Sequence, residues 1–124
     1  MSKKIIVAED SSVIQNLTKK ILTQLSYQIV AVKNGQQVLD LLEKDQYHLI
    51  LMDIHMPVMD GMECARSIRK SDNKNNSIPI LAITGNANNY TEADFEAAGI
   101  NGFVPKPLNY DSLVEKVKIL TNDN

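Results

Sequence analysis

Leu49-Ile50-Leu51-Met52 is apolar at every position and stops on Asp53. A strand with one face in water alternates apolar and polar residues. This one does not, so it calls for a sheet covered on both sides and for a place in that sheet's middle. The carboxylate at its end then stands where a buried strand surfaces, and its desolvation has to be offset by something nearby.

The rest of the chain supplies such a sheet. Short apolar runs at Lys4–Ala8, Gln28–Val32, Leu49–Met52, Ile80–Ile83 and Gly102–Val104 read as strands. Longer amphipathic runs separate them. Ser12 reads as the N-cap of the first helix with Gln15 completing a capping box. That helix carries apolar Val13, Leu17 and Ile21, with Ile14 and Leu25, against outer Lys19 and Lys20. Asn34-Gly35 turns into a second helix, buried through Val38, Leu39, Leu41 and Leu42, with Asn34 and Gln37 repeating the cap pattern. Met62 to Arg69 forms a third, facing inward through Met62, Ala65 and Ile68. Thr91 and Asp94 open a fourth that Gly99 closes. Asn109 caps a fifth, with Leu113, Val114, Val117 and Leu120 on one stripe. "SDNKNNS" reads as a polar loop. Strands alternating with helices imply right-handed βαβ units and a doubly wound α/β domain with a parallel sheet.

At 124 residues the chain is expected to be one domain, residues 1–124. Thirteen basic against fifteen acidic residues give a formal charge of −2 with no basic block. Nucleic-acid binding is therefore not indicated, and no run is long enough for membrane insertion. The lone Cys64 allows no internal disulfide, and "MSKK" is no signal peptide, so a cytoplasmic location is expected. The glycosylation triplets at Asn16, Asn75 and Asn89 are then chance matches. Cys64 reads as inert, Met56 and Met59 as loop packing, and His48 as a residue leading into a strand.

Doubly wound sheets carry their functional groups outside the strands' carboxyl ends. Glu9 and Asp10 follow the first strand, Asp53 ends the third, Thr84 ends the fourth, and Lys106 follows the fifth. Three carboxylates, a hydroxyl and an amine would thus meet on one edge. Clustered carboxylates resist joint ionisation. A lysine and a divalent cation relieve this, and an oxygen-only donor set suits Mg²⁺ or Mn²⁺. A carboxylate can itself take a phosphoryl group, and Asp53 is the natural nucleophile. Asp10 and Glu9 would hold the metal, directly or through water, and Lys106 and Thr84 would contact phosphoryl oxygens.

Glu9-Asp10, "MDIHMPVMDG" around Asp53, "AIT" ending at Thr84, Phe103 and Lys106-Pro107 together resemble a response-regulator receiver domain of two-component signalling. The likeness covers essentially the whole chain. It implies a flavodoxin-like (βα)5 fold with strand order 2-1-3-4-5 and helices on both faces. It implies phosphorylation of Asp53 by a phosphohistidine of a histidine kinase or a histidine phosphotransfer protein. Mg²⁺ would be held by Asp10, Asp53 and the His55 backbone carbonyl, with Glu9 acting through water. Thr84 and Phe103 would be the switch pair, and the bond to Pro107 would be cis. The chain would be a signalling phosphoacceptor rather than an enzyme. Its output would be contact with an unidentified protein target, with a phosphorylation-dependent dimer as one form. The wording around Asp53 and Thr84 resembles receivers of hybrid histidine kinases as well as free-standing regulators. Gly85 departs from the alanine common in relatives and is expected to loosen its loop. His55 and Asn86 stand at the flanking positions that tune phosphate lifetime in the family.

Two other readings compete. A haloacid-dehalogenase-type phosphatase also forms an aspartyl-phosphate, but it needs a second aspartate where His55 stands, and a cap insertion. An FMN-binding flavodoxin-like module needs a Ser/Thr/Gly-rich phosphate loop where Glu9 and Asp10 would repel the phosphate.

Overall fold

The computed structural model describes residues 3–85 and 90–122. The elements run β1 (Lys4–Ala8), α1 (Ser12–Gln24), β2 (Gln28–Val32), α2 (Gly35–Lys44), β3 (Leu49–Asp53), α3 (Gly61–Lys70), β4 (Ile80–Thr84), α4 (Glu92–Ala97), β5 (Gly102–Pro105) and α5 (Tyr110–Leu120). All strand pairings are parallel, in the order β2-β1-β3-β4-β5. β3 lies at the centre and is buried throughout, as its unbroken apolar run requires.

Two cores flank the sheet. Alternate strand residues Ile6, Ile50, Met52 and Ile80 pack with α2, α3 and Phe95 on one face. Ile5, Val7, Leu49, Leu51, Leu81 and Ile83 pack with Leu22, Leu113 and Val117 on the other. The period-two alternation of side chains divides each strand between the two. Register then fixes the functional edge. Met52 is paired with both Ala8 and Ala82, and Thr84 with Pro105, so β1, β3, β4 and β5 end nearly level. Among the described residues no helix is long and apolar enough to cross a membrane.

The first helix departs from expectation. Its N-cap is Ser11, whose side chain accepts the Ile14 N–H. Its buried positions are Gln15, Thr18 and Leu22, while Val13 is 78% exposed and Leu17 and Leu25 are exposed too. The spacing of three and four that turns one stripe inward falls on two polar residues, so apolar content misidentifies the face. Asn34 caps α2 as expected, but the Gln37 side chain accepts the Lys33 N–H rather than closing on Asn34. Thr91 and Asp94 form a full capping box on α4, and Gly99 closes it at φ +85°.

The loop after α3 is also more ordered than its composition suggests. Asn75 is buried and donates to the carbonyls of Leu42 and Asp45, and Asn73 donates to Leu42. These amides satisfy carbonyls at the open carboxyl end of α2. The burial also removes Asn75 as a glycan acceptor.

Candidate functional site

Each acid is delivered by a rigid element. β1 ends at Ala8, and Glu9 continues the ladder by donating its N–H to the Val32 carbonyl at 3.0 Å. The Ser11 N–H donates to Glu9 Oε2 at 3.1 Å, turning that carboxyl inward. Asp10 beside it is exposed. Asp53 is only 2% exposed at the end of β3. The His55 N–H donates to Asp53 Oδ1 at 3.0 Å, so the His55 peptide lies against the acid group while its ring faces solvent.

The loop beyond Asp53 is tightly built. The Gly61 N–H donates to the Ile54 carbonyl, and Asp60 caps α3. A Cβ on Gly61 would stand 2.6 Å from the Asp53 carbonyl oxygen and 2.9 Å from Ile54 Cα, so only glycine fits. Between them Val58 has φ +69°, and the Met59 N–H donates to the Pro57 carbonyl. This is a γ-turn in a conformation uncommon for a β-branched residue. The Met59 carbonyl in turn accepts the Gly35 N–H, tying the loop to α2.

The three predicted acids and the lysine come together. Carboxylate oxygens of Glu9, Asp10 and Asp53 lie within 4.8 Å of one another. Lys106 Nζ reaches across from the end of β5, 3.0 Å from Asp53 Oδ2 and 3.4 Å from Glu9 Oε1. Its own N–H donates to the Thr84 carbonyl, joining the fourth and fifth strand ends. Thr84 is buried at the end of β4. The Lys106–Pro107 bond is cis. Phe103 is half-buried and stacked on Phe95, with ring centroids 5.2 Å apart.

The electrostatics favour a cation. Burial, and then contact with Asp53, raises the Glu9 pKa to about 7. Burial works against the Lys106 charge, but Asp53 and Glu9 outweigh it and the lysine pKa is raised. One ammonium faces three carboxyl groups, which leaves two negative charges when all are ionised. Among the described residues Glu9 Oε1 is buried and finds no hydrogen-bond partner, and it lies in ion-pair contact with Lys106. An all-oxygen cluster with an under-coordinated buried carboxyl fits a hard divalent ion such as Mg²⁺.

Cys64, by contrast, is buried with its thiol pushed up to about 12, and it is chemically quiet. Asn86 and Asn89 lie outside the described residues. Two residues have roles beyond those read from the sequence: Gln15, expected to complete a capping box with Ser12, is buried on backbone carbonyls instead, and Arg69, expected only within the third helix, bridges loops. The buried amide of Gln15 contacts the Glu9 carbonyl. The Arg69 guanidinium donates to the carbonyls of Gly99 and Asn76 and to Asn101 Oδ1.

Comparison with known proteins points one way. Residues 5–118 match the response regulator receiver domain family. The chain is 36% identical over 115 residues to the CAI-1 autoinducer sensor kinase/phosphatase CqsS of Vibrio cholerae, covering 93% of this chain and 17% of CqsS. It is 28% identical over 123 residues to the polar-differentiation response regulator DivK of Brucella anthropi, covering 99% of each. The receiver domain of sensor histidine kinase PA1611 from Pseudomonas aeruginosa matches with TM-score 0.88 and 30% identity, covering 98% of this chain and 99% of that one. That crystal structure has a magnesium ion coordinated in its active-site cleft. The chain spans only 17%, 7% and 15% of three curated histidine-kinase relatives. These likenesses lend no support to the phosphatase or FMN-module readings.

Proposed function

The chain belongs to the response regulator receiver domain family, and from that premise we propose that residues 1–124 are one receiver unit whose phosphoacceptor is Asp53. The observation that carries this is the 3.0 Å contact of Lys106 Nζ with Asp53 Oδ2 inside a cluster of three acids.

An Asp53 carboxylate oxygen attacks the phosphorus of a phosphohistidine, the P–N bond breaks, and the imidazole leaves. The donor is a histidine kinase or a histidine phosphotransfer protein. Asp10, Asp53 and the His55 carbonyl are the proposed Mg²⁺ ligands, with Glu9 acting through water. The ion supplies charge neutralisation for the phosphoryl oxygens. Lys106 shifts its ammonium onto a phosphoryl oxygen, and the Thr84 hydroxyl binds another. Positioning and charge neutralisation supply most of the catalysis in such transfers. The chain modifies itself and turns over no outside substrate.

The new contacts bias a two-state element. Thr84 turning toward the phosphoryl group vacates space beside Phe103, which leaves its partly exposed stack on Phe95 for a buried position. The face of α4, β5 and α5 is the output surface toward a protein target, with dimerisation as one outcome. The proposed setting is cytoplasmic.

Incubation with acetyl phosphate and Mg²⁺, followed by intact-mass measurement, tests this. One added phosphoryl group, removed by hydroxylamine and absent without divalent metal, is expected. Steady hydrolysis of phosphate esters would instead favour an enzyme.

A further inference from the structure

Gln15 is almost completely buried in the first turn of α1, five residues after Asp10. Its Nε2 donates to the Glu9 carbonyl at 3.1 Å and to the Val32 carbonyl at 2.8 Å. Both partners are acceptors, so the amide can present only its NH₂ to them, and its orientation is fixed. The two carbonyls belong to Val32, the last residue of β2, and to Glu9, the residue just after β1, where the β1–β2 ladder runs out. Val32 also accepts the Glu9 N–H. Gln15 thus closes the gap where the strands part, and it does so on the backbone of the acidic turn itself.

We infer that Gln15 is a positioning residue for the divalent-cation site: its amide clamps the Glu9 backbone to β2 and thereby fixes where the Glu9 and Asp10 carboxylates point. Glu9 is held at three places. Its N–H is fixed by Val32, its side chain by the Ser11 N–H, and its carbonyl by Gln15. Gln15 supplies the one of these bonds that comes from a side chain outside the turn. Without it, two sheltered carbonyls lose a donor and the Glu9-Asp10 peptide is free to rotate toward water. Partners that orient metal ligands without touching the ion typically change metal affinity by tenfold or more when removed. Gln15 touches neither the ion nor the phosphoryl group, so its effect falls on metal binding rather than on the transfer step.

The inference rests on the proposed Mg²⁺-dependent reading, and its test separates the two. Gln15→Leu keeps the side-chain volume and removes both bonds. Gln15→Asn keeps the amide but is one methylene too short to serve both carbonyls, and it stands in if the leucine variant does not fold. Val117→Ala, in the opposite core, controls for a general loss of stability. Mg²⁺ alone is titrated calorimetrically into each protein without phosphodonor, and the rate with acetyl phosphate is then followed against Mg²⁺ concentration. The Gln15 variants are expected to bind Mg²⁺ about tenfold more weakly. Their half-saturating Mg²⁺ should rise in step, while the rate at saturating Mg²⁺ stays near wild type. Val117→Ala should leave the Mg²⁺ affinity alone. Wild-type Mg²⁺ affinity in a folded Gln15 variant, or an equal loss in Val117→Ala, overturns the positioning role. Failure of the wild-type protein to bind Mg²⁺ overturns the reading beneath it as well.

Discussion

Lys106 Nζ lies 3.0 Å from Asp53 Oδ2, spanning from the end of β5 to the end of β3. The ammonium is held against the acid group that we propose as the phosphoacceptor. Replacing it with methionine leaves buried Asp53 and Glu9 facing each other without a cation. Lys106→Met should therefore slow phosphorylation by acetyl phosphate by roughly tenfold or more, since an electrostatic donor to a developing oxyanion is typically worth 10²–10³. It should also lower stability in metal-free buffer. Stopped-flow labelling and denaturant titration measure the two.

The Glu9 carboxyl makes the metal-free protein sensitive to pH. Its pKa rises from 4.5 to about 7 on folding, so the folded state holds the proton more tightly. Between those values the folded chain binds more protons than the unfolded one, and stability falls as pH rises. Glu9→Gln should remove that slope and raise metal-free stability near pH 8 by at most about 3 kcal/mol. Because Mg²⁺ must displace the Glu9 proton, wild-type Mg²⁺ affinity should climb over the same window. Denaturant midpoints and Mg²⁺ titrations at several pH values check both slopes.

Gly61 and Gly85 should respond oppositely to alanine. A Cβ at Gly61 meets backbone on two sides of Asp53, so Gly61→Ala should cost about 1–3 kcal/mol and displace the acid. Among the described residues a Cβ at Gly85 meets Lys106 Cδ, at an ordinary 3.5 Å. Gly85→Ala should then stabilise by about 0.4–1 kcal/mol through the unfolded chain, with phosphorylation intact. Urea unfolding of both variants decides the matter.

Arg69 anchors the far end of the fold from the acids. It ties α3 to Gly99 after α4 and to Asn76 before β4, and burial lowers its pKa. Arg69→Met should cost about 1–3 kcal/mol by stranding those carbonyls. Mg²⁺ affinity should stay unchanged, which separates structural anchoring from the role assigned to Gln15.

Legibility in the sequence followed the physics of each element. The central strand and the βα alternation were plain because Leu49–Met52 and its neighbours are apolar without interruption. Glu9, Asp10, Asp53, Thr84 and Lys106 could be found because parallel strands of similar length end level. α1 was misread because its inward stripe carries Gln15 and Thr18, whose hydrogen bonds rather than hydrophobicity reward burial. The loop holding Asn73 and Asn75 was opaque for the same reason, since amides that serve distant carbonyls leave no local pattern. Ser11 and Ser12 are equally good caps in isolation, and the contact of the Ser11 N–H with Glu9 accompanies the choice of Ser11.

The central claim is that Asp53 accepts the phosphoryl group, and intact mass of wild type beside Asp53→Asn tests it most directly. Both are incubated with Mg²⁺ and acetyl phosphate. The wild-type protein should gain one hydroxylamine-labile phosphoryl group and Asp53→Asn none. Equal labelling of the asparagine variant would contradict the assignment.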